Sequence, residues 1–225
     1  MNRGMEEGIR LFKARRFEHA LREFLSVEDN PAENLDLSYY LGLCYTKLKY
    51  YEEALLYLEQ VVTSHTNLFR IYQGRMILSY IYTVTERFKL AQFELDSLVE
   101  AGFASPQVYA AYGYIAYAQN QVEKSVEYLK KALELDPENP NALNSLGYIM
   151  AEEEIDLQEA LKYCREAVRL RPENPSYLDS LGWTYYRLGK YDEALLNLKK
   201  AHGNAAGHRV IGSHLREVMQ KLPKS

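Results

Sequence analysis

Apolar residues in this chain recur at spacings of three and four, in pairs of runs that short polar turns separate. Such spacing places the apolar side chains on one face of an α-helix. The clearest pair spans residues 175–201, where the turn at 188–190 carries a glycine that can end the first helix. Two small residues, Gly182 and Ala194, stand where the helices must approach closely. The pattern therefore predicts a tight helical hairpin, which needs neighbours to bury both of its apolar faces.

The hairpin pattern is repeated along the chain at a nearly fixed period. A bulky residue followed by glycine or serine returns every 34 to 37 residues, with Gly8 beginning the series, at Leu41-Gly42, Leu78-Ser79, Tyr112-Gly113, Leu146-Gly147 and Leu181-Gly182. A second small residue follows each pair after twelve or thirteen positions, at Ala20, Ala54, Ala91, Ser125, Ala160 and Ala194. A fixed period of this length predicts an array of stacked hairpins.

With these residues and the prolines of LDPENP and RPENP, the chain resembles the tetratricopeptide repeat (TPR) family. The segment NPSYLDSLGW is similar to segments of bacterial members. The resemblance implies an all-α, right-handed α-solenoid of six helix–turn–helix repeats plus a C-terminal capping helix. We expect one array over residues 1–208, with repeats at 1–34, 35–68, 72–105, 106–139, 140–174 and 175–208. Three extra residues precede the third repeat, at 69–71, and one extra residue lies in the turn of the fifth, at 153–156.

Residues 209–225 are expected to form the capping helix and a tail. Its apolar face is predicted to contain Val210, Ile211, Leu215, Val218 and Leu222, and Pro223 would stop it. The glycines around 203–207 should separate this helix from the sixth repeat. Between the hairpins we expect a buried core made of Leu41, Tyr45, Leu48, Leu58, Tyr82, Leu95, Tyr112, Leu129, Leu146, Leu161, Leu181, Tyr185 and Leu198.

The resemblance also implies a concave groove that the first helices line with their second, fifth, ninth and twelfth positions. The candidate partner-binding residues at these positions are Met5, Ile9, Phe12, Tyr39, Leu43, Met76, Tyr80, Tyr114, Tyr117, Asn144, Tyr148, Asp179, Trp183 and Tyr186. Four consecutive repeats carry an aromatic residue at the ninth position. Aromatic side chains are common at interface hot spots, so the groove suits an apolar, aromatic or proline-rich segment. The alternative is that some of these rings only pack against neighbouring first helices.

Composition and motifs argue against other classes of function. The net charge of −4 and the pI of about 5.8 give no electrostatic case for nucleic acid or an anionic membrane. No stretch is long and apolar enough to span a membrane. Cys44 and Cys164 fall at apolar helix positions, which indicates buried thiols rather than a disulfide. The histidines have no metal-ligand spacing, and no nucleophile or phosphate-binding motif occurs. We therefore expect no enzyme activity, no metal and no cofactor.

The sequence thus favours a non-catalytic scaffold or adaptor for protein–protein interaction. Three alternatives stay open. The first is an accessory subunit of a bacterial envelope assembly for secretion, pili or transport. The second is a self-assembling protein that forms homo-oligomers through the ends of the array, and the third is a closed pocket in which the concave aromatic side chains hold a small apolar ligand. As written, the chain is expected to be cytoplasmic. A chain whose leader had been removed, periplasmic or lipid-anchored, would have the same sequence.

Overall fold

The computed structural model describes residues 3–205 and 207–222, and these residues form thirteen helices without a strand. The helices are α1 (Arg3–Lys13), α2 (Phe17–Leu25), α3 (Leu35–Leu48), α4 (Tyr51–Ser64), α5 (Leu68–Val84), α6 (Phe88–Glu100), α7 (Pro106–Ala118), α8 (Val122–Leu135), α9 (Pro140–Glu152), α10 (Leu157–Leu170), α11 (Pro175–Arg187), α12 (Tyr191–Asn204) and α13 (Arg209–Lys221). The all-α architecture predicted from the sequence is confirmed. The chain divides into two compact units, Met1–Ala104 and Ser105–Ser225.

Each unit is built from three consecutive helical hairpins, in which odd-numbered first helices alternate with even-numbered second helices. Each hairpin packs on the next one of its unit through contacts such as those of α4 with α5 and α10 with α11. The second unit ends with α13, which contacts both α11 and α12. The predicted order of repeats is therefore present within each unit.

The close approach inside the hairpins depends on glycine. A Cβ atom on the first-helix glycine would lie 2.5–2.8 Å from a side-chain atom of the second helix, at Gly8, Gly42, Gly113, Gly147 and Gly182. The atoms met belong to Phe24, Leu58, Leu129, Cys164 and Leu198. Real Cβ atoms do not make contacts this short, so a larger residue at these glycines would force the facing side chain or its helix to shift. The third hairpin has the buried Ser79 at this place.

Polar caps and left-handed residues set the helix ends. Five of the first helices begin after a residue whose side chain accepts a hydrogen bond from the first turn, at Asn34, Asn67, Ser105, Asn139 and Asn174. Pro140 and Pro175 open α9 and α11, as the sequence predicted. Every hairpin turn contains one residue with positive φ, and in the last hairpin this residue is Gly189.

Both stretches of extra residues can be located in the structure. The extra residues 69–71 lengthen the beginning of α5, which at 17 residues is the longest helix of those described. The extra residue of the fifth repeat lies in the turn between α9 and α10, which runs from Glu153 to Asp156. The side chain of Asp156 caps α10 by accepting hydrogen bonds from the backbone N–H groups of Gln158 and Glu159.

Most of the predicted core is buried, with two exceptions. Eleven of its thirteen residues are buried, whereas Tyr45 and Leu48 are half-buried. Both exceptions lie in the last turn of α3, next to the hairpin turn. There the ring of Tyr45 stacks on that of Tyr57 with 5.7 Å between centroids, and both residues are half-buried.

The capping helix is present, but its buried face differs from the prediction. Ile211 and Val218 are buried as expected, whereas Val210 is exposed and His214 is buried in its place. The helix break also starts later than predicted, because α12 continues through Gly203 to Asn204. Ala206 and Pro223 lie outside the described residues.

Candidate partner-binding surface

In the first unit the candidate residues divide into buried and accessible ones. Met5 belongs to the hydrophobic core around Phe24, and Tyr39 is only 3% exposed, so neither is available on an open surface. The remaining candidates of this unit are half-buried or, for Tyr80, exposed: Ile9, Phe12, Leu43, Met76 and Tyr80. The prediction of an exposed groove residue is therefore wrong for Met5 and Tyr39.

Tyr39 is covered by polar groups of its own unit. Its hydroxyl donates a hydrogen bond to the side-chain oxygen of Gln73, on α5. The guanidinium of Arg70 lies 4.0 Å from the centre of the Tyr39 ring, in cation–π geometry. The Nε of Arg70 also lies 3.3 Å from a carboxylate oxygen of Asp36. Helix α5 thus supplies the guanidinium that covers one face of the Tyr39 ring.

In the second unit three of the accessible candidates are tyrosines on two neighbouring first helices. Tyr114 and Tyr117 lie three residues apart on α7, and Tyr148 lies on α9, which contacts α7. Tyr114 is 49% exposed, and the other two are half-buried against the core around Leu146. We call Tyr114, Tyr117 and Tyr148 the tyrosine surface.

Trp183 is not part of an open surface. Its side chain is 5% exposed and lies between two rings, that of Tyr186 at 4.8 Å and that of His214 at 4.2 Å between centroids. The indole N–H donates a 2.5 Å hydrogen bond to the carboxylate of Glu152. The expectation that Trp183 faces an open groove is therefore corrected, because α13 covers the indole.

The other candidates on α9 and α11 also take part in internal contacts. Asp179 is buried, and its carboxylate oxygens lie 3.0 and 3.1 Å from Nδ1 of His214. Tyr186 is half-buried and packs on Trp183 and, at 5.8 Å, on Tyr191. Asn144 is half-buried, and its Oδ1 has no hydrogen-bond partner among the described residues. Asp179 was expected to line the groove, but like Trp183 it is buried, so the prediction is wrong for this residue of the sixth repeat as well.

Carboxylates border the tyrosine surface. Burial raises the pKa of the Tyr148 hydroxyl, and the negative charge of Glu152 raises it further. Burial also raises the pKa of Tyr117, with additional contributions from Glu153 and Glu152. Glu152 follows Tyr148 by four residues, so it lies on the same side of α9, and Glu153 comes directly after the helix. We call Glu152 and Glu153 the acidic edge of the tyrosine surface.

Sequence reasoning missed Glu152, Arg187 and His214. Glu152 and Arg187 occupy the thirteenth position of the fifth and sixth repeats, next to the twelfth position that the resemblance assigns to the groove. His214 follows Ser180 by one repeat length of 34 residues, and this spacing is the signal that could have placed α13 against α11.

Other kinds of site are not indicated by the described residues. No group of three or more His, Cys, Asp or Glu side chains among them could hold a metal ion. Both cysteines are free and buried, and burial raises the pKa of each thiol to about 12. In the part of the chain that is described, every helix is too short or too polar to cross a membrane.

Three family models match the chain, and all three describe the same repeat. Two models described as tetratricopeptide repeat match residues 5–67 and 176–202, and one described as TPR repeat matches residues 113–153. Together these matches cover more than half of the chain and fall in both compact units. A comparison with curated protein sequences gives no significant match.

Solved structures with a similar fold are also repeat proteins. A tetratricopeptide repeat protein from Parabacteroides merdae matches with a TM-score of 0.79 and 13% identity, over 96% of this chain and 83% of that chain. A chain of the APC/C hetero-tetramer Cut9–Hcn1 matches with a TM-score of 0.76 and 12% identity, over 96% of this chain and 42% of that chain. YrrB, described as a TPR protein with an unusual peptide-binding site, matches with a TM-score of 0.53 and 21% identity. The match covers 83% of this chain and 91% of that chain. At such low identities the likeness shows the fold.

Proposed function

Because the chain is a tetratricopeptide repeat protein, we propose that it acts as a non-catalytic scaffold that binds a segment of another protein on its tyrosine surface. The observation that supports this proposal is the exposure of Tyr114 beside Tyr117 and Tyr148 on first helices of one unit. Tyr114 forms no hydrogen bond with another described residue and is not needed for the approach of α7 to α8, which Gly113 permits.

Exposed tyrosines of this kind are suited to partner binding. A tyrosine ring offers a large apolar area with few rotatable bonds, so little conformational entropy is lost when a partner covers it. The half-buried rings of Tyr117 and Tyr148 are already held by core packing, which reduces the ordering that binding requires. YrrB is described as having a peptide-binding site. Our proposal is that this chain also binds a peptide segment.

The first unit is proposed to offer a second contact face of its own. Its accessible first-helix residues are Ile9, Phe12, Leu43, Met76 and Tyr80. They are more aliphatic than the tyrosine surface, and this composition favours an apolar or proline-rich segment.

The test is a selection of peptides from a random displayed library with the full chain, followed by fluorescence anisotropy with the best synthetic peptide. Tyr114→Ala and the double change Tyr114→Ala/Tyr148→Ala should each weaken binding, the double change by at least about tenfold, as for a hot spot. Tyr50→Ala, which removes an exposed tyrosine of the first unit, is the matched control and should leave the affinity unchanged.

The outcomes separate clearly. Loss of affinity with both surface variants but not with Tyr50→Ala would support the proposal, provided that thermal unfolding shows all variants folded. Equal affinity for the wild type and the double variant would show that the tyrosine surface is not the binding site. Trp183 is a poor reporter of this binding, because its indole is covered by His214.

A further inference from the structure

The charges around the tyrosine surface are not balanced. Helix α7 contains no charged residue, and α9 contains only Glu152. Glu153 follows directly in the turn and is exposed. Glu152 follows Tyr148 by four residues on α9, so the two side chains lie on the same side of that helix. Beyond the effect of burial, the charge of Glu152 raises the pKa of both tyrosine hydroxyls, and Glu153 raises the pKa of Tyr117. The rings therefore stand beside negative charge that their own helices do not neutralise.

A cation on α11, Arg187, lies beside this surface: its charge partly offsets the rise that burial causes in the pKa of the Tyr148 hydroxyl, but its hydrogen bonds go to other groups. The guanidinium of Arg187 lies 2.8 Å from the carboxylate of Glu154, and towards Glu152 it donates only to the backbone carbonyl, at 3.0 Å. The carboxylate of Glu152 accepts its hydrogen bond from the neutral indole of Trp183. Among the described residues, neither Glu152 nor Glu153 forms an ion pair with Lys, Arg or His. The acidic edge thus keeps two carboxylates without a cationic partner.

The first unit shows what such a ring can accept. There Arg70 lies over Tyr39 at 4.0 Å and pairs with Asp36 at 3.3 Å, so one guanidinium contacts an aromatic face and a carboxylate together. The second unit has tyrosine rings and carboxylates in the same kind of neighbourhood, but among the described residues no Lys or Arg side chain lies over the rings of Tyr114, Tyr117 or Tyr148 in cation–π geometry. An arginine of a partner would suit this surface, because its planar group stacks on aromatic rings and donates hydrogen bonds to carboxylates at the same time.

Resting on the proposed function, we infer that the partner segment presents an arginine or lysine to the tyrosine surface. Its cation lies over the rings of Tyr117 and Tyr148 and pairs with the carboxylates of Glu152 and Glu153. The ligand class is therefore a basic peptide segment, in which aromatic or apolar neighbours of the cation cover Tyr114. Arginine should bind better than lysine, since only the guanidinium is planar and can form two parallel hydrogen bonds with a carboxylate.

The inference is tested with the same displayed random library, using the full chain and the variant Glu152→Gln/Glu153→Gln. Glutamine keeps a side-chain oxygen for the Trp183 N–H while it removes the negative charge. The matched control is Glu123→Gln/Glu127→Gln, which removes two exposed carboxylates from α8 and changes the net charge equally. Trp183 emission and thermal unfolding check that the fold is unchanged.

We expect peptides selected by the wild type to be enriched in arginine or lysine at one position. Changing that residue to glutamine should lower the affinity about tenfold, and the acidic-edge variant should show a similar loss, greatest at low salt. The control on α8 should bind like the wild type. Selected peptides without a cation, or equal affinity for the acidic-edge variant and the control, would overturn the inference.

The two proposals fail in different ways. If Tyr114→Ala weakens binding while the acidic-edge variant does not, the tyrosine surface remains the binding site and the basic ligand class is wrong. If neither variant changes the affinity, or if no peptide is recovered, the proposed function fails and the inference fails with it.

Discussion

The imidazole of His214 stacks on the indole of Trp183, with 4.2 Å between the ring centroids and 20° between the planes. The same imidazole forms a hydrogen bond with the buried carboxylate of Asp179. Arg209, the first residue of α13, follows Pro175 by one repeat length, and α13 contacts α11 and α12 as α11 contacts α9 and α10. Helix α13 therefore takes the place of a further first helix, and its His214 covers the side chains of Trp183 and Asp179.

Replacing His214 should expose the side chains of Trp183 and Asp179 that it covers. In His214→Ala the indole loses one of its two stacking partners, and Asp179 keeps a buried carboxylate without its hydrogen-bond partner. We expect a loss of unfolding free energy of about 1–3 kcal/mol, the cost of an unsatisfied buried polar group. Trp183 is the only tryptophan, so its emission maximum should move to longer wavelength.

Urea unfolding followed by tryptophan emission measures both effects. His208→Ala is the control, since His208 is exposed at the start of α13 and its side chain makes no capping hydrogen bond. An unchanged emission maximum and midpoint in His214→Ala would contradict the packing described for α13.

The architecture could be predicted from the sequence because it depends on local and repeated requirements. Gly42, Gly113, Gly147 and Gly182 mark the same close approach in four hairpins, and only a very small residue fits there. A requirement that recurs every 34 residues is visible without any knowledge of the neighbours. The caps behave alike, since Asn139 and Asn174 act on the helices that directly follow them.

The candidate site could be predicted only in part, since exposure depends on contacts from outside the repeat. Trp183 and Tyr148 share the ninth position, yet α13 covers the first ring and leaves the second half-exposed. Tyr39 and Asn144 share the fifth position, but Arg70 lies over the ring of Tyr39, whereas the buried Oδ1 of Asn144 has no hydrogen-bond partner among the described residues. The repeat period gives the direction in which a side chain points, and it does not say which distant residue lies on top.

A substitution at the hairpin contact should separate close approach from helix propensity. The Cβ of Gly147→Ala would lie 2.6 Å from Sγ of Cys164 and 3.0 Å from two backbone atoms of α10, Ala160 O and Cys164 N. The backbone atoms cannot move away without shifting the helix, so we expect a loss of about 1–3 kcal/mol from overpacking. Thermal or urea unfolding measures this loss.

Gly203→Ala is the matched change within a helix that has free space. Gly203 lies near the end of α12, and a Cβ there meets no atom within 4 Å. Alanine should stabilise the helix by up to about 1 kcal/mol, because glycine has the lower helix propensity. If both variants changed the stability in the same direction, steric contact would not be the reason for glycine at position 147.

The buried thiols should be unreactive and should make the fold sensitive to alkali. Burial raises the pKa of Cys44 and Cys164 to about 12, whereas an unfolded chain releases the thiol proton at about 8.5. Between these values the unfolded state binds fewer protons than the native state, so stability is full below about pH 8.5 and falls as the pH rises towards 12. Alkylation at neutral pH should therefore be slow until the protein unfolds.

The double variant Cys44→Ala/Cys164→Ala isolates this contribution. It should unfold more easily at neutral pH, because small cavities form, but its stability should fall less steeply than that of the wild type between pH 8.5 and 12. Parallel pH profiles for the two proteins, or rapid alkylation of the folded wild type, would show that the thiols are not protected.

A cavity in the fifth hairpin should weaken its neighbours as well. Leu146 is fully buried on α9, in a core that includes Leu129 of α8 and Ala160 of α10, so Leu146→Ala should lower the unfolding free energy by about 2–5 kcal/mol. Because each hairpin is stabilised mainly by the next one, protection from hydrogen exchange should also decrease in α7, α8, α11 and α12. Leu196→Ala, at a position 72% exposed on α12, should change stability by no more than about 0.5 kcal/mol. A loss of protection confined to α9 and α10 would mean that the hairpins of this unit are stable independently, and that the stacking of neighbours contributes little.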